Sequence, residues 1–267
     1  MNTATRWAGA ALLLWAACTS AQAGRTCEEK PLSLRELEQG LKLAETTAKQ
    51  LDSTGTQVLL LARAGQDLSK HGLQWSHLGF AYRPAAAPGS APVPWRVLHK
   101  LNQCGTDKAQ LFRQGLGEFF LDRPHRYEAA YVVLSPDTQA KLLPLLQDNA
   151  RLPQWHSAAY SMVAYPWSQR YQQSNQWVLE TLAGALEPSA SNRSRAQAWL
   201  QFKGYEPTTL KLGTFTRLGA RVTTANVAFD DHPNAKRFAN RIETITVDSM
   251  FSWTQRSGLS GAPQTIR

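Results

Sequence analysis

Trp75-Ser76-His77-Leu78-Gly79-Phe80, preceded by Val58-Leu59-Leu60-Leu61-Ala62 and followed by Trp95-Arg96-Val97-Leu98-His99, decides how this chain folds. The run from Ser76 to Tyr82 alternates in polarity, which predicts a strand. The run at 58–62 is short, apolar and flanked by polar residues, as a buried strand is. A third strand is expected from Trp95 to Leu101. The stretch between the last two, Ala85 to Pro94, is rich in Ala, Pro, Gly and Ser and reads as an exposed loop.

Helices are expected around these strands. Ser33-Leu34-Arg35-Glu36 has the spacing of a capping box, and Leu37, Leu41, Leu43 and Ala44 continue one apolar face, so a helix is expected from Leu34 to Leu51. Leu111–Phe120 has helical character, Tyr127–Leu134 reads as a strand, and Thr138–Ala150 and Asn175–Leu186 read as helices. After a polar break at Pro188–Arg195, helices are expected near Arg195–Phe202, Thr216–Thr223 and from Asp248, with a strand at Ile242–Val247. The tail from Ser257 is polar and expected to fray.

The first residues carry an address. Arg6, an apolar run from Trp7 to Cys18 and Ala21-Gln22-Ala23 follow the charged, hydrophobic and small-residue order of a secretory signal peptide, with cleavage before Gly24. The run is too short for a membrane span, which needs about 20 residues. A buried N-terminal helix and lipoprotein processing at Cys18 are the alternatives. Export would remove Cys18 and leave Cys27 and Cys104, which an oxidising compartment favours as a disulfide; two buried thiols are the other reading. The expected parts are a signal peptide (1–23), a main domain with its N-terminal helix (24–187), a C-terminal extension packed on it (188–256) and a flexible tail (257–267).

The formal charge of the 267-residue chain is +9. That favours acidic partners, but the cations are scattered, so no nucleic-acid partner is expected. No other apolar run reaches spanning length. Asp230-Asp231-His232 falls short of the three or four ligands a metal site needs and reads as a polar turn; no metal or other cofactor is expected.

Three residues could carry chemistry. His77 enters an apolar strand ahead of a glycine, as a general base or a core histidine would. His99 lies on the next strand, within reach of a neighbour. Ser174 stands where a polar loop opens an amphipathic helix, where the dipole and free N–H groups favour developing negative charge; an ordinary N-cap serine would look the same. Tyr165-Pro166-Trp167 and Trp177 could form an aromatic wall or simply pack.

In this order the elements resemble the permuted papain-like hydrolases related to the NlpC cell-wall peptidases, over roughly Gln57 to Leu186. The resemblance implies an α+β fold, an antiparallel sheet with packed helices, to which a C-terminal α/β extension is added. It implies His77 as base, His99 as its orienting partner and Ser174 in the position of the catalytic cysteine. Trp75, Asn175, Gln176 and Tyr165 would contact a ligand. A serine there departs from the pattern, because a hydroxyl needs a base during attack whereas a thiol is partly ionised. Cys104 follows a strand, not a helix start, and is the weaker nucleophile. Through Leu101-Asn102-Gln103-Cys104-Gly105, Tyr160-Ser161-Met162-Val163-Ala164-Tyr165-Pro166, Ser174-Asn175-Gln176-Trp177 and the segment Ala225 to Pro233, the chain also resembles an uncharacterised family of secreted bacterial proteins. Two functions are expected on these grounds: a periplasmic or secreted hydrolase of amide or ester bonds, or a non-catalytic cleft that binds a cell-wall peptide, glycan or lipid group.

Overall fold

The structure, a computed structural model, describes residues 31–267. The signal-peptide stretch, Cys18 and Cys27 lie outside the described residues. The chain runs α1 (Leu34–Ser53), β1 (Val58–Arg63), β2 (His77–Tyr82), β3 (Arg96–Asn102), β4 (Ala109–Gly115), α2 (Leu116–Phe120), β5 (Ala129–Val133) and α3 (Pro136–Gln147). It continues α4 (Ser174–Leu186), α5 (Arg193–Phe202), β6 (Thr208–Lys211), α6 (Thr214–Thr223), α7 (Asn234–Phe238), β7 (Arg241–Thr244), α8 (Val247–Arg256) and β8 (Gln264–Ile266). No described helix is long and apolar enough to cross a membrane.

Six strands form one sheet in the order β4-β3-β2-β1-β5-β8, with every neighbouring pair antiparallel. Helices cover both faces. Val58, Leu60 and Ala62 point into a core shared with α3, α4, α5 and α8, built on Leu142, Trp177, Leu182, Leu200 and Trp253. Leu59 and Leu61 point the other way, into a core with Leu43 and Leu51 of α1 and Phe119 and Phe120 of α2. Both faces of β1 are therefore buried, which is why its sequence is continuously apolar rather than alternating. The capping box on α1 is present: Ser33 accepts from the Glu36 N–H, and Glu36 accepts from the Ser33 N–H.

Two expectations are corrected. Residues 111–120 are not one helix. β4 pairs along its length with β3, and only the single turn of α2 follows from Gly115. Cross-strand pairing at an edge decides this, and a window of local sequence does not contain it. The tail is ordered at its end, because Gln264, Thr265 and Ile266 pair with Tyr131, Ala130 and Ala129 of β5. Residues 188–256 share the core of the main sheet through Ala196, Leu200, Ile245 and Met250 and add a separate two-stranded sheet, β6–β7.

Candidate functional site

α4 begins at the end of the sheet where β2 starts. Its N-cap is Gln173, not Ser174: the Gln173 side chain accepts from the Asn175 N–H at 3.0 Å, and Gln176 accepts from the Gln173 N–H in return. Gln173 also donates to Thr244 Oγ1 and to the Ile245 carbonyl, tying the helix start to β7. Ser174 is thus the first helical residue and is relieved of capping. Asn175 then fastens the turn to β2. Its Oδ1 accepts from the Leu78 N–H at 3.0 Å and its Nδ2 donates to the Ser76 carbonyl at 3.4 Å. Those two residues flank His77, so the same side chain that follows Ser174 grips both sides of the histidine.

His77 and His99 meet as the strand positions imply. His77 Nε2 lies 2.8 Å from His99 Nδ1, and His99 Nε2 lies 2.7 Å from Gln114 Oε1. Gln114 Nε2 donates to Glu118 Oε1 at 2.9 Å. Phe119 stands edge-on to His99 and tilted against His77. Gly79 makes the pairing possible. A Cβ there would fall 2.7 Å from Val97 Cγ1 and 3.0 Å from His99 Cβ.

The direction of every proton in this chain follows from its far end. A carboxylate only accepts, so Gln114 turns its NH2 to Glu118 and its oxygen to His99. His99 must then donate from Nε2. Burial and the Arg63 cation push the His99 pKa down to about 3, so the ring is neutral and its Nδ1 is an acceptor. His77 therefore donates from Nε2. It is neutral too, held well below the usual histidine value by burial, by Arg63 and by His99. The lone pair left over is His77 Nδ1. Sequence reasoning missed Gln114 and Glu118. Their i, i+4 spacing was visible, but only the pairing of β4 with β3 shows that Gln114 reaches a histidine.

His77, Ser174, Asn175 and Trp75 line one cavity of about 550 Å³. Tyr160 lines it as well; burial raises the pKa of its phenol, and its neighbour Ser174 pulls it back down. Among the described residues no hydrogen bond joins Ser174 to His77. Leu210, Leu212, Asn226 and Thr244 also line it, so the C-terminal extension forms part of the cleft.

Two expected ligand contacts are corrected. Gln176 is fully buried beneath the helix, where its Nε2 donates to Glu180 Oε1 at 3.0 Å. Tyr165 lies outside the cavity and packs against His232 and Lys236. The aromatic wall is packing: Trp177 is buried edge-on to Phe80, and Trp167 stands edge-on to Tyr205.

His232 is a buried structural group. Its Nδ1 lies 2.9 Å from Asp231 Oδ1 and its Nε2 lies 2.9 Å from the Glu243 carbonyl, while Asp231 Oδ2 accepts from the Tyr165 N–H. Among the described residues no group of three or more His, Cys, Asp or Glu is placed to hold a metal ion. Cys104 lines the cavity just after β3 and is not a free thiol. Its expected partner, Cys27, lies outside the described residues.

On the other side of α4 lies a second polar cluster. The Glu180 carboxylate, fully buried, accepts from Arg193 Nε at 2.8 Å, Gln197 Nε2 at 2.6 Å, Gln176 and Gln172. Lys100, fully buried on β3, gives its three protons to the Ser157 carbonyl and to the Gln172 carbonyl and Oε1, at 2.7 to 2.9 Å. Burial pushes its pKa down to about 6, yet three acceptors require the ammonium form.

The molecule is thus an α+β protein, an antiparallel sheet between helical layers with a cleft that His77 and Ser174 line. The chain belongs to a family of uncharacterized proteins conserved in bacteria (DUF2145), whose model matches residues 50–254. That span includes His77, His99, Gln114, Glu118 and Ser174. No curated protein and no solved structure matches the chain.

Proposed function

We propose that the cleft is a papain-like active site that hydrolyses an amide or ester bond in the bacterial cell envelope. Ser174 is the nucleophile, His77 Nδ1 the general base and His99 the group that orients the base. The observation that carries this reading is the directed chain Glu118–Gln114–His99–His77, which leaves one unused lone pair on a residue that shares its cavity with Ser174. In the proposed step the Ser174 proton moves to His77 Nδ1 while Oγ bonds to the substrate carbonyl carbon. The carbonyl electron pair moves to oxygen, near the Ser174 N–H at the positive end of the α4 dipole. Collapse expels the amine or alcohol, which takes the proton from Nδ1, and water then releases the acyl group by the same sequence.

The envelope setting rests on the sequence of residues 1–23, read as an export signal, with anchoring at Cys18 as the alternative. A Cys27–Cys104 bridge belongs to the same reading and would fix the segment before α1 to the cleft. Mass spectrometry of exported protein should find the two cysteines linked; alkylatable thiols at both would sink the pairing.

A non-catalytic cleft that binds a peptide, glycan or lipid group is the second reading. It is favoured by the absence, among the described residues, of a Ser174–His77 hydrogen bond. Labelling with a serine-reactive fluorophosphonate separates the two. The hydrolase reading expects labelling that is lost in Ser174→Ala and strongly slowed in His77→Ala. No labelling of the wild type, or labelling that survives both changes, rules it out.

A further inference from the structure

The least-covered apolar surface of the described chain lies beside the cleft mouth. α6 is ten residues long, and its flanking residues, Leu212 and Thr224, both line the cavity. Its sequence Thr214-Phe215-Thr216-Arg217-Leu218 places Phe215 and Leu218 at the i, i+3 spacing of one face. That face is not turned inward. Phe215 is 90% exposed and Leu218 60% exposed. Asn240, just after α7, joins the two short helices: its carbonyl accepts from the Leu212 N–H at 3.0 Å and its Oδ1 from Arg217 Nη1 at 2.7 Å. The last residue of α7, Phe238, is 69% exposed. Three large apolar side chains thus stand in solvent on two helices fastened to each other at the rim of one cavity.

Along the segment that carries α6 the charge has one sign; beside Phe238, Lys236 is paired with Glu243. From Pro207 to Phe229 the chain carries Lys211, Arg217 and Arg221 and no carboxylate. Arg217 is buried and holds the helix down, while Lys211, Arg221 and the nearby Arg241 are exposed. None of these three exposed cations enters an ion pair among the described residues. The exposed apolar residues of α6, in a segment with cations and no carboxylate, match the boundary between headgroups and acyl chains of an anionic bilayer. A protein partner would be expected to bring its own directional contacts. The two other exposed apolar side chains of comparable degree, Leu34 on α1 and Phe202 on α5, have no such setting. Leu34 is two residues from Glu36, and Phe202 is four from Glu206.

We infer that α6 and Phe238 form a docking element for an anionic lipid surface, which seats the mouth of the cleft against that surface. The inference does not depend on catalysis. It would give the cleft access to groups carried at the membrane face.

The test is cosedimentation of the full chain with vesicles of phosphatidylglycerol and phosphatidylcholine, against vesicles of phosphatidylcholine alone. Wild type is compared with Phe215→Ser/Leu218→Ser/Phe238→Ser and with the control Leu34→Ser/Phe202→Ser. Expected is binding to the anionic vesicles that weakens at high salt, falls about tenfold or more in the triple variant and is unchanged in the control. Circular-dichroism melting should give all three proteins similar stability, since the substituted side chains are exposed. Equal binding by wild type and triple variant would place the contact elsewhere and overturn the inference. So would binding to neutral vesicles as strong as to anionic ones, or no vesicle binding at all. A dimer in sedimentation velocity that the triple variant dissolves, without vesicle binding, would assign the patch to a second copy instead.

Discussion

Two buried polar clusters flank the start of α4. Around Glu180 the carboxylate accepts from four side chains, and the neighbouring Lys100 uses all three of its protons. Around His77 the hydrogen bonds run in one direction, from histidine to histidine to amide to carboxylate, and leave the Nδ1 of a cavity-lining residue unused. The first cluster closes on itself, as a network that fixes structure must if its desolvation is to be offset. The second is closed at one end only. That difference, rather than burial or charge, is what distinguishes a candidate reactive group from a structural one in this molecule.

The comparison can be broken at several points. The largest effect is expected from Arg193→Met, which leaves the Glu180 carboxylate buried without its cation. A loss of about 3–5 kcal/mol in urea unfolding is expected, and a loss under about 1 kcal/mol would mean the cluster is not the closed network described. Gly79→Ala comes next. The added methyl meets Val97 and His99 on the neighbouring strand, so a cost of about 1–3 kcal/mol is expected together with slower fluorophosphonate labelling. Unchanged labelling would show that the His77–His99 geometry is not needed.

A pH series probes the histidines directly. Both folded-state pKa values are depressed, to about 3 for His99 and well below 6.5 for His77. Below pH 6.5 the unfolded chain takes up protons that the folded chain refuses. Their contribution is complete above pH 6.5 and is lost as the pH falls toward 3. Between pH 7.5 and pH 5 His99 should remove about 2 kcal/mol of stability, and His77 acts in the same direction. His99→Asn should flatten that part of the curve, and an unaltered slope would contradict the neutral pair. The smallest stability effect is expected from Gln114→Leu, under about 1 kcal/mol because the residue is only half-buried. Its labelling rate should nonetheless drop at least about tenfold, since His99 and His77 lose the group that fixes their tautomers. Stability and labelling falling together would reduce Gln114 to a packing role.

Much of the framework was legible in the sequence because its signals are local. The capping box at Ser33, the apolar run at 58–62 and the periodicity of α4 each lie within one window, and each element formed. His77, His99 and Ser174 were legible as single residues; the His77–His99 pairing followed from strand order, while Ser174 joined them only through the resemblance. What was hidden depends on partners far along the chain. Gln114 looks like part of a helical stretch until β4 is set against β3. Ser174 looks like a cap until Gln173 is seen to do the capping, a role that serine, not glutamine, usually fills. Gln176 looks like a ligand contact until Glu180, one turn on, draws it inward.

The pairing of β5 with β8 has a consequence for how the protein is made. Tyr131 emerges from the ribosome long before its partner Gln264. Until then the outer edge of β5 presents unpaired N–H and C=O groups on an apolar strand, the template on which chains stick to one another. At ordinary rates of about 5–20 residues per second, that interval lasts several seconds or more. Over that time a nascent chain is better served by remaining unfolded in the grip of a holding chaperone than by closing its sheet early.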